Sequence, residues 1–599
     1  MLEFGIPSLI EVPDDAGLAD VVFSRAAADP EEVMLRRRVT GGDWRDVSAA
    51  QFRAEVTGLA KGLIAAGIQP GDRVALLSRT RYEWTLADYA IWAAGAVTVP
   101  VYETSSAEQV EWIVSDSGAR AAIAESDAHA EIIASLRDRL PELSQVWRIS
   151  GLDELAATGA DVADDELRRH RTSRRASDLA TIIYTSGTTG RPKGCELTHR
   201  NLLGAVRNAV HGALPELFEM TDSSTLLFMP LAHVFARIIE IGCLESGAVL
   251  GHWEDIGTVA AGLREYRPTF LLAVPRVFEK VYNTAQQQAS ASPAKSKIFA
   301  AAAATAIAYS QAADSGGPGL GMQLRHALFD RLVYTKLRAA VGGKVQYAVS
   351  GGAPLGDRLG HFFRGAGLTV LEGYGMTETS AAATVNKPSR NKVGTVGQPL
   401  PGVSARIADD GEIELRGSIN FAGYWQNPTA TSEVLDGDGW LHTGDLGSLD
   451  EEGFLRVTGR KKELIVTAGG KNVAPAVLED RLRAHPLISQ VMVVGDNQPF
   501  IACLITLDPE ALEPWKQQHG KPADATPADL ANDPDLIADI QAAVDEANKA
   551  VSRAESIRKF VILPVDFTTD NGYITPSLKV KRAVVAKDFA ADIDALYTR

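Results

Sequence analysis

The most informative segment of the chain reads Tyr184-Thr-Ser-Gly-Thr-Thr-Gly-Arg-Pro-Lys-Gly194, and it ends an apolar run that begins at Leu179. Its three glycines allow a tight backbone path and the close approach of a ligand. Backbone N–H groups and four hydroxyls can surround phosphate oxygens, and Lys193 supplies a cation. The segment therefore predicts a phosphate-binding loop that follows a strand. Its glycine and lysine spacing differs from that of a Walker A motif.

Outward from this loop, apolar strand-type runs alternate with helical stretches. Thr198 is a candidate N-cap for the helix that follows the loop. Before the loop, the helical face of Phe52, Val56, Leu59 and Leu63 precedes a short strand at 74–77. The same rhythm returns at 97–101, 226–229, 270–274 and 345–349. This alternation predicts an α/β fold with a doubly wound, mostly parallel sheet covered on both faces.

The composition and hydrophobic pattern of the chain change at two further points. Residues 287–321 are rich in Ala, Ser and Gly, which favours an alanine-rich helix and then a loop at 314–319. After about Gly394, short alternating segments predict a small β-rich subdomain. We expect a large domain over 1–459 and a smaller mobile α+β domain over 460–599, joined by a hinge near 460–463.

The composition is that of a globular protein with an acidic surface. The 599 residues include 60 Lys and Arg against 76 Asp and Glu, a net charge of −16. This charge disfavours general binding to nucleic acid or to an acidic membrane, so an anionic ligand must be bound locally. Three widely spaced cysteines and the lack of a signal segment favour the cytoplasm. Residues 298–309 are too short to span a bilayer, which leaves peripheral contact at the inner membrane face open. The sequence does not indicate an oligomeric state.

Seven further segments accompany the loop in a fixed order. They are Pro230-Leu-Ala-His-Val-Phe-Ala236, Val274-Pro-Arg-Val-Phe278, Ser350-Gly-Gly-Ala-Pro354, Glu372-Gly-Tyr-Gly-Met-Thr-Glu378, Trp440-Leu-His-Thr-Gly-Asp445, Gly459-Arg-Lys-Lys-Glu463 and Thr575-Pro-Ser-Leu-Lys579. With these segments the chain resembles the adenylate-forming superfamily of acyl-CoA synthetases, peptide-synthetase adenylation domains and luciferases. Arg237 after the first segment and Thr467-Ala-Gly-Gly-Lys-Asn472 look most like its long-chain fatty acyl-CoA synthetases.

The resemblance implies activation of a fatty acid by ATP and Mg²⁺ to an acyl-adenylate, followed by transfer to CoA. Two alternatives stay open within this chemistry: the acid is a medium-chain or aryl acid, or the acceptor is a carrier protein. A third alternative is a nucleotide-binding scaffold that has lost catalysis. The preferred acyl length is not fixed by the sequence.

The same resemblance assigns candidate roles residue by residue. The catalytic candidates are Lys579, Glu378 and His233, with Lys581 as the alternative lysine because Leu578 replaces the glycine common before it. The metal candidates are Glu378 and Thr188. The ATP-binding candidates are Thr185, Ser186, Gly187, Thr188, Thr189, Gly190, Lys193, Gly351, Gly352, Ala353, Glu372, Gly373, Tyr374, Gly375, Thr377, Asp445 and Arg460.

Further candidates concern the second half-reaction and the acyl group. Lys462 matches the hinge position of the superfamily, and Gly469 with Gly470 would line the pantetheine passage. Phe278 occupies the place of an aromatic gate to the acyl tunnel. A core phenylalanine explains Phe278 nearly as well.

Overall fold

A computed structural model describes residues 3–39, 41–185, 191–290, 292–469, 471–575 and 579–598. The strands are β1 (Glu3–Ile6), β2 (Val33–Arg38), β3 (Trp44–Ser48), β4 (Arg73–Leu77), β5 (Val97–Val101), β6 (Ala121–Ala124), β7 (Gln145–Arg148), β8 (Leu179–Thr185), β9 (Lys193–Thr198), β10 (Ser224–Leu227), β11 (Val249–His252), β12 (Phe270–Ala273), β13 (Tyr347–Ser350), β14 (Thr369–Met376), β15 (Ala381–Val385), β16 (Gln398–Pro399), β17 (Val403–Ile407), β18 (Glu412–Gly417), β19 (Gly423–Tyr424), β20 (Leu441–Leu449), β21 (Leu455–Arg460), β22 (Ile465–Val466), β23 (Asn472–Val473), β24 (Ile488–Val494), β25 (Ile501–Leu507) and β26 (Ile557–Ile562).

The α-helices are α1 (Asp20–Ala28), α2 (Ala49–Ala65), α3 (Tyr82–Ala93), α4 (Ala107–Ser117), α5 (Asp127–Ser135), α6 (Leu152–Thr158), α7 (Asp164–Thr172), α8 (His199–Asn208), α9 (Pro215–Phe218), α10 (Val234–Ser246), α11 (Val259–Tyr266), α12 (Pro275–Ser290), α13 (Pro293–Ala313), α14 (Leu320–Phe329), α15 (Thr335–Ala340), α16 (Asp357–Gly365), α17 (Pro428–Val434), α18 (Pro475–Arg483), α19 (Pro509–Gln518), α20 (Pro527–Leu530), α21 (Pro534–Asn548), α22 (Arg582–Asp588) and α23 (Ala590–Tyr597). Among the described helices, none is long and apolar enough to cross a membrane.

Strands β8 and β9, which flank the phosphate-loop segment, belong to a seven-stranded sheet with the order β19-β9-β8-β5-β4-β6-β7. The five strands from β8 to β7 run parallel, and β9 and β19 add antiparallel pairs at one edge. The helix after β9 begins as predicted, because Thr198 and Asn201 form a reciprocal N-terminal cap. The buried face of α2 includes the four predicted residues Phe52, Val56, Leu59 and Leu63.

A second α/β layer contains two further mixed sheets, β10-β11-β2-β3 and β12-β13-β14-β15-β16. The sheets meet side by side, because the Thr269 N–H donates to Ser224 O (2.9 Å) and the Thr225 hydroxyl donates to Phe270 O (2.9 Å). Strands β10, β11 and β2 run parallel, as do β12, β13 and β14. These parallel blocks confirm the predicted α/β class, with antiparallel strands added at the sheet margins.

The predicted β-rich subdomain is a fully antiparallel sheet with the order β1-β17-β18-β20-β21. Strand β1, formed by residues 3–6, joins it from the N-terminus, which the sequence pattern did not indicate. The alanine-rich segment is the helix α13, and it packs very closely on α16. A Cβ on Gly365 would lie 2.0 Å from Ala306 O, so this contact requires a glycine.

The last part of the chain has its own apolar cores. The large apolar core extends to Leu455, whereas two separate cores use residues from Ile465 onward. These cores surround the sheet β24-β25-β26. Helix α12 contacts this region through polar groups, since Arg276 lies 3.3 Å from Asp508 and Lys280 lies 3.0 Å from Glu510. A polar contact of this kind is typical of units that move relative to each other.

Candidate active site

Strands β8 and β9 form the base of the predicted phosphate loop. Thr185 of β8 pairs with Lys193 of β9. The end of the loop is attached to α4, because the indole of Trp112 donates to Pro192 O (2.8 Å) and the Arg191 guanidinium lies 4.6 Å from the same ring. The loop candidates Ser186, Gly187, Thr188, Thr189 and Gly190 lie outside the described residues.

A tyrosine that was not among the sequence candidates contacts both Lys193 and Glu378. The Lys193 Nζ lies 4.8 Å from the ring centre of Tyr424. The Tyr424 hydroxyl donates to Glu378 Oε1 at 2.7 Å. Burial, together with the charge of Glu378, raises the pKa of Tyr424 well above its ordinary value, so the phenol stays protonated. Strand β19 sets this arrangement, because it pairs Tyr424 with Cys195 of β9.

Glu378 lies in a short 3-10 turn, Thr377–Thr379, that ends β14. The next two residues, Ser380 and Ala381, have φ values of 52° and 84°, which is rare for residues other than glycine. The turn folds back so closely that a Cβ on Gly375 would lie 1.7 Å from Ala381 O. Gly375 is therefore required for the turn that presents Glu378. Such locally strained backbone is frequent at functional sites.

Tyr374, Asp445 and Arg460 form a second cluster of sequence candidates. The Tyr374 hydroxyl donates to Asp445 Oδ2 at 2.7 Å, and Arg460 Nε lies 3.1 Å from Asp445 Oδ1. Asp445 and Arg460 are direct partners in the ladder between β20 and β21. The buried carboxylate is thus oriented from both sides.

Glu372 organises the glycine segment that follows β13. Its Oε1 accepts the Leu355 backbone N–H at 2.9 Å, which anchors the loop of Gly351, Gly352 and Ala353. Gly352 has a φ of 83°, a conformation that favours glycine. Burial raises the pKa of Glu372 to about 7. Next to it, Gly373 approaches β15, since a Cβ there would lie 3.1 Å from Thr384 O.

His233 is the N-cap of α10. Its Nδ1 accepts the Phe235 backbone N–H at 3.1 Å, so the cap does not use the other ring nitrogen, Nε2. Burial, with a smaller contribution from the charge of Lys579, lowers the pKa of His233 to about 4. The imidazole is therefore neutral near pH 7. The ring of Phe235 borders the glycine segment, with its Cζ 3.2 Å from a Cβ built on Gly351.

Lys579 belongs to the C-terminal part and yet interacts with charges of the large part. Its carbonyl accepts the Thr575 N–H at 2.8 Å, and its own N–H donates to the Thr575 hydroxyl at 3.1 Å. Desolvation, followed by the charge of Arg460, lowers the pKa of Lys579, while Asp445 and Glu378 act in the opposite direction. Lys579 is exposed to solvent in the structure. Lys581 is the residue before α22, and its N–H donates to Tyr573 O.

The proposed hinge residues follow β21 directly. Lys461, Lys462 and Glu463 form a single 3-10 turn, and Lys462 is exposed. Lys461 is attached to the β-rich subdomain by ion pairs of 2.5 Å to Asp410 and 3.1 Å to Glu412.

The passage and gate candidates differ in their surroundings. Gly469 is exposed, and the atom nearest to a Cβ built there is Thr467 Oγ1 at 3.9 Å. Gly470 lies outside the described residues. Phe278 is buried in α12 and packs edge-on against Phe363, with 5.6 Å between the ring centres. Its role as a gate stays a prediction.

The sequence also did not predict one buried ion pair. Arg237 is one turn after His233 on α10, and its guanidinium donates to both carboxylate oxygens of Asp88 at 2.6 Å. The same guanidinium donates to the Thr181 hydroxyl of β8 at 2.6 Å. The motif that contains Arg237 was recognised in the sequence, but its partners lie far away along the chain.

The described site brings together Lys193, Glu378 and Asp445 of the large part with Lys579 of the C-terminal part, a set of charges that suits an enzyme acting on an anionic substrate. Family comparison agrees with that class: the model of the AMP-binding enzyme family matches residues 22–425, and that of the AMP-binding enzyme C-terminal domain matches 462–599. The chain belongs to the AMP-binding enzyme family.

Among similar proteins, the long-chain-fatty-acid–CoA ligase FadD15 of Mycobacterium tuberculosis is 54% identical over 604 residues, which cover 100% of both chains. The long-chain-fatty-acid–CoA ligase ACSBG2 of Xenopus laevis is 32% identical over 93% of this chain and 80% of its own. Among solved structures, the anthranilate CoA ligase AuaEII in complex with anthranoyl-AMP has a TM-score of 0.73 at 20% identity, covering 97% of this chain and 99% of its own. That likeness confirms the adenylate-forming fold.

Proposed function

We propose that the chain is an AMP-forming ligase that activates a long-chain fatty acid with ATP and transfers the acyl group to CoA. The full-length 54% identity with a long-chain-fatty-acid–CoA ligase supports the substrate class. What supports the mechanism is that Lys579 of the C-terminal part lies near enough for the charges of Asp445 and Glu378 to act on its pKa and for its own charge to lower the pKa of His233.

In the first half-reaction, a carboxylate oxygen of the fatty acid attacks the α-phosphorus of ATP. The new bond gives the acyl-adenylate, and the bond to the leaving pyrophosphate breaks. Negative charge on the non-bridging oxygens needs cations at fixed positions more than it needs covalent help from the protein. We assign Lys579 to the α-phosphate and carboxylate, and Lys193 to the phosphates held by the loop. Because Nδ1 of His233 accepts the Phe235 N–H, the proton of the neutral ring lies on Nε2, and we assign this N–H to the acyl carboxylate.

The nucleoside is assigned to the Asp445 cluster. An ionised carboxylate accepts hydrogen bonds from two ribose hydroxyls in a charge-assisted pair. Tyr374 and Arg460 each bind one oxygen of the Asp445 carboxylate, and these two contacts fix the orientation of the carboxylate. We assign the glycine segment 351–353, the backbone at 373–375 and Thr377 to the walls around the base and phosphates.

The residues present fit Mg²⁺ at Glu378. No group of three or more His, Cys, Asp or Glu side chains suited to a metal occurs within the part of the chain that the structure describes. Magnesium commonly needs only one or two carboxylates in addition to substrate phosphates. Glu378 supplies one half-buried carboxylate, oriented by Tyr424. Thr188 stays a second candidate ligand. When bound, the cation would neutralise phosphate charge.

In the second half-reaction, the CoA thiol attacks the acyl carbonyl and AMP leaves. We propose that the division into 1–459 and 460–599 serves this step, with rotation about 460–463 that withdraws Lys579. The separate apolar cores and the polar contact at α12 support such a movement. The open space beside Gly469 is compatible with a passage for the pantetheine arm.

Release of AMP and pyrophosphate from ATP, measured with fatty acids of increasing length, tests this function. We expect pyrophosphate with palmitate and ATP, and AMP together with acyl-CoA only when CoA is added. A maximum with a medium-chain or aryl acid would correct the substrate class, and acyl transfer to a carrier protein without CoA would correct the acceptor. If hydroxylamine traps no acyl group from any acid, the chain is a nucleotide-binding scaffold.

A further inference from the structure

A row of solvent-exposed leucines lies on the helical segment that follows the loop at 314–319. Leu320, Leu324, Leu328 and Leu332 are 79%, 75%, 56% and 45% exposed. Helix α14 continues through one π-helical turn, Asp330–Tyr334, into α15. A spacing of four residues places the leucines on one side of this helix, over about 18 Å at 1.5 Å per residue. We call these four residues the leucine face.

The opposite side of the same helix already holds it on the protein. Phe329 and Tyr334 are buried, and the Tyr334 hydroxyl donates to Ala302 O at 2.7 Å. The ring of His326 stacks on Tyr309 at 4.0 Å between centres. The leucine face therefore contributes little to the packing of the helix. Contiguous exposed apolar surface of this kind marks a site of interaction.

The charges beside the leucine face indicate the kind of surface it meets. Arg325, Arg331 and Lys336 are exposed, and none of them forms an ion pair with a carboxylate among the described residues. The only acid in this helix, Asp330, is held by Arg338 at 2.8 Å. This local excess of cations contrasts with the net charge of −16. An anionic lipid surface explains apolar residues bordered by unpaired cations more directly than a protein partner of ordinary composition does.

We propose that the leucine face docks in the plane of a membrane that contains anionic phospholipids. A helix with a leucine stripe and flanking Lys and Arg lies at the boundary between headgroups and acyl chains. Anionic headgroups attract each nearby cation. Long-chain fatty acids partition into the same layer, so docking would supply the acid from the membrane. That last consequence depends on the ligase function proposed above, whereas the docking does not.

Vesicle flotation tests the proposal with the full-length chain. Vesicles of phosphatidylcholine containing one quarter phosphatidylglycerol are compared with vesicles of phosphatidylcholine alone. The variant Leu320→Gln, Leu324→Gln, Leu328→Gln, Leu332→Gln should lower the partition coefficient at least tenfold. The exposed apolar residues Ile256 and Ile537 provide the matched control, and Ile256→Gln with Ile537→Gln should bind as the parent chain does. Arg325→Gln, Arg331→Gln, Lys336→Gln should lose about fivefold per cation on the anionic vesicles, and little on the neutral ones.

Three results would overturn the docking surface. The parent chain could fail to float with either vesicle, or the leucine variant could float as well as the parent chain. Alternatively, light scattering could show an oligomer that the leucine variant loses while vesicle binding is absent, which would make this face a contact between copies. The ligase function is measured separately by AMP release from ATP with detergent-dispersed palmitate and CoA in the absence of vesicles, which the leucine variant should retain. Vesicle binding without AMP release in the parent chain would reject the ligase function and keep the docking surface.

Discussion

Tyr424 lies between Lys193 and Glu378, to which we assign the binding of phosphate and of Mg²⁺. Its hydroxyl donates to Glu378 while its ring lies beside Lys193. Tyr424→Phe removes the hydroxyl and keeps the ring. A hydrogen bond to a charged acceptor is worth about 1.5–3 kcal/mol, so we expect adenylation to slow by about 10- to 150-fold. The apparent affinity for Mg²⁺ should fall as well, measured by pyrophosphate release over a range of Mg²⁺ and by equilibrium binding of Mn²⁺ in the presence of ATP.

Tyr309→Phe is the matched control, because Tyr309 stacks on His326 and lies outside the candidate site. This variant should behave as the parent chain does. An unchanged dependence on the metal in Tyr424→Phe would show that Glu378 does not need the phenol to be oriented.

Glu372 makes the stability of the protein depend on pH. The ordinary pKa of its carboxyl is 4.5, and burial raises it to about 7 in the folded chain. The folded state therefore binds this proton more tightly, so the contribution of Glu372 to stability is full below about pH 4.5 and is lost as the pH rises through about 7. Glu372→Gln keeps an acceptor for the Leu355 N–H and removes the charge. We expect it to stabilise the fold near pH 8, by at most about 3 kcal/mol, and to have little effect near pH 5. Denaturation midpoints at both pH values check this, and an equal shift at both would contradict it.

Helix α10 is fastened to the strand that leads into the phosphate loop by one buried ion pair. Arg237 reaches Asp88 of α3 and Thr181 of β8, and His233 caps the same helix one turn earlier. Asp88→Asn would leave a buried guanidinium without its counter-charge. We expect a loss of about 3–5 kcal/mol in the free energy of unfolding, measured by chemical denaturation.

The paired replacement Asp88→Leu with Arg237→Met separates the burial of charge from the packing of α10. It removes both charges together, so it should destabilise the protein less than Asp88→Asn alone. If the double variant were less stable than Asp88→Asn, the attraction between the two charges would contribute more to stability than the cost of leaving one buried charge unpaired.

The two parts of the chain are expected to serve different half-reactions. Removing one well-placed electrostatic donor costs about 10²–10³ in rate, so Lys579→Ala should nearly abolish adenylation. It should still convert supplied acyl-adenylate and CoA to the thioester, because Lys579 is assigned to the first step alone. Lys581→Ala is the control for the neighbouring lysine. Equal loss of both half-reactions in Lys579→Ala would contradict the assignment.

Gly469→Leu tests the same two-state scheme from the other side. The space beside Gly469 is open, so a leucine side chain should be tolerated by the fold and should obstruct the expected pantetheine passage. We expect normal acyl-adenylate formation and slow thioester formation, followed by single-turnover assays of each step. A normal rate of thioester formation would show that the thiol enters elsewhere.

Much of this molecule could be predicted from local patterns. The alternation of strands and helices and the N-cap at Thr198 depend on short-range preferences that neighbouring residues express directly. The order of the motif segments was enough to indicate the family. Local patterns did not reveal β1 at the edge of the β-rich sheet, because its partner β17 lies about 400 residues away.

The same limit applies to the site and to the surface. Tyr424 becomes part of the site only because β19 pairs with β9, and the influence of the Asp445 charge on Lys579 needs the two parts of the chain to lie near each other. The leucines at 320–332 are unremarkable in composition, and it is the packing of Phe329 and Tyr334 on the opposite side that leaves them facing solvent. Residue type determines which chemistry a side chain is able to perform, whereas its partners and its exposure depend on long-range packing, which one-dimensional patterns do not encode.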